Sequence, residues 1–284
     1  HLQMTYYLLL IVLVYGLIHL LLAIREKSIL PFFKNLGVLI PAALLAVGTF
    51  IGPLWAIGEY SEYSIRGKSE LPSQEEPASG LSRDYAFAYS SGMLESITVM
   101  IPNFYGGSSS NFLVQDEGSA TYKALMQSGD GETANQLARY TSAYWGPQSL
   151  TAPYYGGAIM CFLFVVGIVF ADKKYVWWLV SVSVLGMMFS WGSNFEGFNY
   201  FVFDYLPGYN KFRSVTFAII ILLFSMPLLG MLGLEKFFEE GLNQESKKKL
   251  IIAFGFTGGL CLLIWLLAGM ASFTREGESQ LPAW

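Results

Sequence analysis

The sequence predicts an all-α integral membrane protein with six transmembrane helices and a mainly helical extracytoplasmic cap between the second and the third. Its 284 residues are 54% hydrophobic and only 13% charged, whereas soluble domains carry about 25% charged residues. The apolar residues form runs close to the ~20 residues with which a helix crosses a hydrocarbon core of about 30 Å. Lysine and arginine are concentrated in the connections on one side of those runs, which indicates how the helices alternate across the bilayer.

Six apolar runs define the transmembrane helices: residues 4–24, 36–57, 155–171, 175–191, 215–234 and 250–271. They divide the chain into helices one and two (1–57), the cap segment (58–154), helices three to six (155–271) and an extracytoplasmic tail (272–284). Because only three residues separate the third and fourth runs, we expect a tight helical hairpin there. The second run contains Pro41 and Pro53, which predict a kink. The kinked helix forms a hinge or a cavity wall, or the prolines have no function and are tolerated as they commonly are in membrane helices.

The distribution of positive charge sets the orientation. Residues 25–35, 172–174 and 235–249 carry lysine or arginine in three alternating connections, and the positive-inside rule assigns them to the cytoplasm. The N-terminus, 58–154, 192–213 and the C-terminus then lie on the extracytoplasmic face. The net charge of −4 gives no indication of nucleic-acid binding. Both cysteines fall inside apolar runs, so we expect no disulfide framework.

The cap is expected to consist of short helices that pack on the outer ends of the spans. Residues 90–101 predict an amphipathic helix with a serine cap, and 117–126 and 132–144 predict two more. Residues 69–80 predict irregular chain. In the first helix the expected apolar face comprises Met93, Leu94, Ile97, Met100 and Ile101, which leaves Glu95 on the solvated face.

The stretch 192–213, aromatic and rich in glycine, lies between two apolar runs. We interpret it as a re-entrant or interfacial segment, whose irregular backbone needs protein or a wet cavity to satisfy its polar groups. It therefore predicts the wall of a site. The wall residues we select are Trp191, Asn194 and Tyr209, with Asn103, Gly106 and Gly107 from the cap. The alternative is an aromatic interfacial belt without chemistry.

Charged residues near this stretch divide into candidate anion ligands and candidate acids. Arg213, Lys211 and Arg66 are suited to a lipid phosphate, because guanidinium binds phosphate through paired hydrogen bonds; as an alternative they anchor helix ends at the interface. The backbone amides of residues 106–109 approach a phosphate, or form only a flexible loop. The candidate catalytic acids are Glu59, Glu62, Glu196 and Asp204; Glu196 and Asp204 are equally suited to pairing with Lys211 and Arg213.

No phosphate loop, paired-cysteine metal site or catalytic nucleophile motif is present in the sequence. No cofactor is evident. The candidate ligands of a divalent cation are the cap acids Asp116, Glu117, Asp130 and Glu132.

Four pieces of sequence together resemble the YfhO-like bacterial membrane proteins: Gln3 with the tyrosine pair that follows it, Ile-Pro-Asn-Phe-Tyr-Gly-Gly-Ser at 101–108, Trp-Gly at 191–192, and Leu-Pro-Gly-Tyr-Asn-Lys-Phe-Arg-Ser at 206–214. The chain resembles the middle of such a protein. The family looks like multi-spanning glycosyltransferases of the GT-C type. The resemblance implies a bacterial inner-membrane protein that moves a sugar from a polyprenyl-phosphate donor to a cell-envelope acceptor on the outer face. It also implies that the catalytic acid lies upstream of His1.

Two other classes of function stay open at this point. One is a lipid or polysaccharide transporter or flippase module, which predicts polar residues deep within several spans. The other is a non-catalytic scaffold of an envelope assembly. The partners expected from the leading reading are membrane lipid, the sugar donor and the remainder of a longer chain.

Overall fold

The computed structural model describes residues 1–67, 80–114, 116–127, 131–148, 151 and 153–268, and their regular structure is helical apart from two isolated β-bridges. The α-helices are α1 (Leu2–Arg25), α2 (Ile29–Gly48), α3 (Ile51–Glu62), α4 (Arg83–Ala86), α5 (Ala120–Gln127), α6 (Gly131–Tyr140), α7 (Ala158–Phe170), α8 (Lys173–Ser190), α9 (Glu196–Tyr205), α10 (Ile219–Glu240) and α11 (Gln244–Ala268). Short 3₁₀ helices cover Leu94–Val99, Gly192–Phe195, Tyr209–Lys211 and Val215–Ala218.

Several helices have the length and composition of membrane spans. Four qualify singly: Leu2–Arg25, Ile29–Gly48, Val215–Glu240 and Gln244–Ala268. The pair Lys173–Ser190 and Gly192–Tyr205 qualifies only jointly, and it is bent by 115°. Helix α7 is apolar but has only 13 residues, about 20 Å at 1.5 Å per residue. The fold is therefore an all-helical one with the helices of an integral membrane protein.

Helix α10 is the centre of the assembly and packs against both α7 and α8. A Cβ atom on Gly167 would lie 2.3 Å from the carbonyl oxygen of Leu229, and one on Gly233 would lie 2.5 Å from the Cα atom of Gly167. On the other side, a Cβ on Gly186 would lie 2.8 Å from that of Ile221. Glycines at these contacts let the helix backbones approach closely, which is how van der Waals packing holds membrane helices together.

Helix α1 packs against α8, whereas α2, α3 and α11 are peripheral. The Trp178 indole donates to the Ile11 carbonyl oxygen at 3.0 Å, and Tyr7 is buried in the same cluster as Phe189. By contrast, α2 and α3 contain no buried residue. Apolar side chains such as Leu45 on α2 are exposed in the isolated chain, as suits surfaces that face lipid or other protein.

The second predicted span, 36–57, is wrong in its start, and the kink predicted in it takes the form of a break near Pro53. Helix α2 begins at Ile29, and the chain breaks between Gly48 and Ile51 before continuing as α3. Pro41 lies inside α2 without ending it. Pro53 has no N–H to donate to the Thr49 carbonyl, so a helix crossing that point would lack a bond; it fits instead in the first turn of α3, where its N–H is not needed. The Thr49 hydroxyl donates to the Ala46 carbonyl oxygen at 2.8 Å and helps to end α2.

Two of the lysine-rich connections are shorter than predicted, because the helices extend into them. Lys34 lies on α2, and only residues 241–243 separate α10 from α11. Ion pairs support the extended ends: Lys236 to Glu239 at 2.7 Å and Lys249 to Glu240 at 3.1 Å. The stretch 192–213 is likewise more regular than expected, since α9 and two 3₁₀ helices occupy most of it.

The connecting segment, which we define as the described residues between 80 and 157, packs on the ends of α8 and α10. The Ser91 amide donates to the Ser190 carbonyl oxygen at 2.9 Å, and the Gly156 amide donates to that of Val99 at 2.9 Å. Val99 is buried in a cluster with Ile219. Helices α5 and α6 lie where two short helices were predicted, with shifted ends. The predicted irregular chain at 69–80 lies outside the described residues except for Gly80.

The expected face of the helix at 90–101 is wrong. The helix is a 3₁₀ helix without a serine cap, Met93 and Leu94 are exposed, and Glu95 is only 9% exposed. Its carboxylate accepts hydrogen bonds from the Tyr144 hydroxyl at 3.0 Å, the Gln148 amide group at 2.8 Å and the Gly92 backbone at 3.0 Å. Periodicity alone does not indicate partners about 50 residues away, and these satisfy the buried carboxylate.

Candidate functional site

The start of α1, the end of α3 and the chain leading into α10 enclose a cavity of about 660 Å³, which we call the cationic cavity. Its polar lining comprises His1, Gln3, Tyr60, Ser61, Ser64, Arg66, Lys211, Arg213 and Ser214. Leu54, Ile57 and Phe217 supply an apolar side. The volume lies within the range of about 300–1,000 Å³ that is usual for small-molecule sites. Three cations and no acid are among its described lining residues.

Arg213 is held between two tyrosines of the connecting segment. Its guanidinium carbon lies 4.3 Å from the ring centre of Tyr85 and 4.9 Å from that of Tyr89. It also donates to both hydroxyls, at 3.0 Å and 3.3 Å. Its Nε atom is buried and has no hydrogen-bond partner within the described chain. Aromatic faces attract the cation but do not neutralise it, so its charge remains available to an anion.

Arg66 and Lys211 fasten the end of α3 to the chain before α10. The Arg66 Nε atom donates to the Lys211 carbonyl oxygen at 3.0 Å, and Lys211 Nζ donates to the Arg66 carbonyl oxygen. These two side chains therefore shape the cavity wall as well as contributing charge to it.

The chain between α9 and α10 is positioned by long-range backbone hydrogen bonds. The Leu81 amide donates to the Asn210 carbonyl oxygen at 3.0 Å, and the Ser214 amide donates to that of Ala86 at 3.3 Å. Ser214 has a φ of +62°, a left-handed conformation that non-glycine residues seldom adopt. Strain of this kind is maintained only where surrounding contacts determine the backbone.

A second cavity of about 340 Å³, the hydroxyl cavity, lies on the other side of Ser214 and Phe217, which line both. The rest of its lining is polar and uncharged: Tyr89, Ser108, Ser109, Ser110, Gln148, Thr151, Tyr154 and Thr216. Burial raises the pKa of the Tyr154 hydroxyl; a hydrogen bond with Thr216 opposes that rise, and the nearby Glu95 carboxylate adds to it. The hydroxyl is therefore a neutral donor and acceptor at physiological pH.

The four candidate acids do not line the cationic cavity. Asp204 accepts a hydrogen bond from Arg83 at 2.6 Å, and both side chains are exposed. Its partner is thus Arg83 rather than Lys211 or Arg213. Glu196 accepts from the Tyr200 hydroxyl at 3.4 Å. Glu59 and Glu62 lie exposed on α3, outside the described lining.

The predicted wall residues from the aromatic stretch fix the connecting segment instead of facing either cavity. The Trp191 indole donates to the Ser96 hydroxyl at 2.8 Å, and the Asn194 side chain donates to the Ser91 carbonyl oxygen at 3.0 Å. Tyr209 is 1% exposed in the helix core. Burial raises its pKa well above the usual value.

The predicted wall residues from the cap have a local structural role. Asn103 and Gly106 form a turn in which the Gly106 amide donates to the Asn103 carbonyl oxygen at 2.8 Å. The Gly107 amide donates to the Ala143 carbonyl oxygen at 3.0 Å, and that of Ser109 to Thr151 at 2.9 Å. Because these three amides already have acceptors, they do not form the phosphate cradle considered above.

No group of three or more His, Cys, Asp or Glu side chains that could hold a metal ion occurs in the part of the chain that the structure describes. Of the acids considered for a cation, Asp116 accepts a hydrogen bond from the Gly118 amide at 3.0 Å, and Asp130 lies outside the described residues. Sequence reasoning missed Tyr85, Tyr89 and the hydroxyl cavity, because each depends on contacts between segments far apart in the chain.

Comparison of the chain with protein-family models, curated proteins and solved structures finds no match. The site must therefore be interpreted from its own geometry.

Proposed function

We propose that the chain is part of a YfhO-like glycosyltransferase of the GT-C type, which moves a sugar from a polyprenyl-phosphate donor to a cell-envelope acceptor on the outer face of the bacterial inner membrane. The observation that carries this proposal is the cationic cavity with Arg213 at its wall. A lipid phosphate needs a cation with free N–H donors beside an apolar surface for the first part of the lipid chain. Arg213 supplies the cation, and Leu54 and Ile57 supply the apolar surface.

The geometry of Arg213 favours an anion over a purely anchoring role. Within the described residues the ion pairs involve Arg83, Lys236 and Lys249 with their acids, and Arg213 is in none of them. A buried, unsatisfied guanidinium N–H is costly. The two Nη atoms donate to one tyrosine hydroxyl each, and because each carries two N–H groups, a second donor on each is left for a phosphate oxygen, in a charge-assisted hydrogen bond about twice as strong as a neutral one.

The proposal includes six transmembrane spans. Two of the helices assigned to them differ from a long straight span: α7 is short, and α8 forms a bent pair with the helix that follows it. The start of α1, the end of α3 and the start of α10 meet at the cationic cavity. At the other end of the bundle, Lys249 of α11 lies 5.0 Å from the ring centre of Phe170 at the end of α7. The cavity and the lysine-rich turns thus lie at opposite ends of the helix bundle. This arrangement supports placing the cavity and the connecting segment outside and the lysine-rich turns in the cytoplasm.

The proposed sidedness is testable by cysteine labelling. Ser110→Cys in the connecting segment should react with a membrane-impermeant maleimide in intact cells, whereas Lys247→Cys should react only after the membrane is opened. Both variants are made with Cys161 and Cys261 replaced by alanine, so that neither native thiol contributes. Labelling of both positions from the same side would refute the orientation.

In this proposal the chain supplies donor binding, and its four candidate acids, which do not line the cationic cavity, are given no catalytic role. The transporter alternative predicts a path of polar groups deep within several spans, and the buried serines that the structure describes in the middle of α8 and α10 do not supply one. Ser183 and Ser225 on α8 and α10 each donate to a carbonyl of their own helix at 2.6 and 2.7 Å. Such self-satisfied hydroxyls do not form a polar path across the membrane.

Transfer of radiolabelled sugar from polyprenyl-phosphate donors by the intact full-length protein in proteoliposomes tests the function. Arg213→Met should lower donor use by at least about tenfold, since a hydrogen bond to a charged group contributes about 1.5–3 kcal/mol. Lys236→Met, at the opposite end of the bundle, is the control and should leave transfer unchanged. No transfer from any polyprenyl-phosphate sugar, or equal transfer by Arg213→Met, would refute the proposal.

A further inference from the structure

The hydroxyl cavity has a composition unlike that of its neighbour. Its described lining contains hydroxyl, amide and aromatic side chains but no acid and no cation. A hydroxyl group both donates and accepts hydrogen bonds, so such a lining matches a ligand with several hydroxyl groups of its own. The described lining offers a charged ligand no acid or cation as a direct partner, so the hydration that such a ligand loses there is not compensated by the lining itself.

The lining is held in place by hydrogen bonds within the chain. The Ser109 hydroxyl donates to the Thr151 carbonyl oxygen at 2.8 Å and accepts from the Thr151 amide at 2.8 Å. The Ser108 and Ser110 hydroxyls lie 2.9 Å apart. Side chains fixed in this way lose little freedom when a ligand binds, which favours affinity.

The position of the cavity relates it to the proposed phosphate site. Ser214 and Phe217 line both cavities. Tyr89, in the hydroxyl cavity, accepts a hydrogen bond from Arg213 of the cationic cavity at 3.3 Å. A phosphate bound by Arg213 would therefore have its attached sugar at the border of the hydroxyl cavity.

We infer that the hydroxyl cavity binds the sugar ring of the donor and that this sugar is uncharged. The inference rests on the proposed function and adds the class of sugar to it. Serine, threonine and tyrosine hydroxyls bind the hydroxyl groups of the ring. The rings of Tyr89, Tyr154 and Phe217 offer apolar surface to its C–H groups.

Binding to the full-length protein in nanodiscs tests the inference. The probes are polyprenyl-phosphate glucose, polyprenyl-phosphate glucuronic acid, polyprenyl-phosphate glucosamine and polyprenyl phosphate without a sugar. The glucose donor should bind at least about tenfold more tightly than either charged donor, because an unpaired charge must be desolvated. Equal affinity for the neutral and charged sugars would overturn the inference while leaving the proposed function intact. Failure to bind any of the four lipids would overturn both.

A substitution within the cavity gives a second, independent test. Thr216→Val removes a hydroxyl and keeps the side-chain shape, so it should weaken binding of the glucose donor but not of polyprenyl phosphate alone. Ser110→Ala, at an exposed position, tests the same point if Thr216→Val fails to fold. Thr257→Val on α11 is the matched control and should change neither affinity. An equal loss for both lipids, or no loss for the glucose donor in either cavity variant, would contradict the inference.

Discussion

Replacing Gly192 by alanine should destabilise the corner at which α8 passes into α9. The residue has a φ of +47°, where a Cβ atom costs about 1–2 kcal/mol. The added Cβ would also lie 2.1 Å from the Ser90 hydroxyl oxygen and 2.7 Å from a Val215 methyl group. The Ser90 hydroxyl cannot move freely, because it donates to the Phe87 carbonyl oxygen at 2.7 Å and accepts from the Ser193 amide at 3.0 Å.

Forcing an extra methyl group into a packed site costs about 1–3 kcal/mol. Together with the backbone term, Gly192→Ala should lower the free energy of unfolding by about 2–5 kcal/mol. The measurement is reversible unfolding of the full-length protein in mixed micelles, followed by tryptophan fluorescence, since Trp191 adjoins the site.

Gly197→Ala is the matched control. Gly197 lies on α9, only five positions further along the chain, and a Cβ there would meet nothing within 4 Å. Alanine favours a helix over glycine by up to about 1 kcal/mol, so this variant should be as stable as the parent or slightly more stable. If Gly192→Ala lost no more stability than Gly197→Ala, the described contact between the corner and Ser90 would be incorrect.

Three further predictions concern packing and polar contacts. Tyr144→Phe removes the hydroxyl that donates to Glu95 and accepts from the Gln148 backbone amide, so it should cost about 1–3 kcal/mol of unfolding free energy. The control, Tyr140→Phe, changes a side chain that is 80% exposed and should alter the unfolding free energy by no more than about 0.5 kcal/mol. Equal effects of the two substitutions would contradict the hydrogen-bond network around Glu95. Asp204→Asn should cost less than about 1 kcal/mol because its ion pair with Arg83 is exposed; a double-mutant cycle giving a larger coupling would show that the pair is buried in the assembled protein. Gly167→Ala should separate α7 from α10 and lower the free energy of unfolding by about 1–3 kcal/mol or more. Gly258→Ala on α11 is the control, because open space surrounds that position, and it should not destabilise the protein. Unfolding of both variants is measured in mixed micelles, and equal stability would refute the close approach of α7 and α10.

Features set by local sequence were predictable. The apolar run predicted at 4–24 corresponds to α1 at Leu2–Arg25, and that at 175–191 to α8 at Lys173–Ser190. Long apolar runs leave few alternatives to a helix. For 36–57 the two prolines predicted a kink, but the sequence did not show that the helix breaks between Gly48 and Ile51, just before Pro53, and continues through Pro41.

Features set by contacts between distant segments were not predictable. Arg213 was selected from sequence as an anion ligand, but Tyr85 lies 128 residues away from it in the chain and Tyr89 lies 124 away. Glu95 was assigned to a solvated face because the apolar periodicity of residues 90–101 places it off the predicted apolar face. Its buried state becomes understandable only with Tyr144 and Gln148, which lie 49 and 53 residues from it.

Binding of a lipid phosphate by the charge of Arg213 is the central feature of the proposed function. The most direct measurement is the affinity of the full-length protein in nanodiscs for polyprenyl monophosphate, compared with the uncharged polyprenol. The parent should prefer the phosphate lipid, and Arg213→Met should reduce that preference by about tenfold or more, while Lys236→Met should preserve it. An unchanged preference in Arg213→Met would contradict the account.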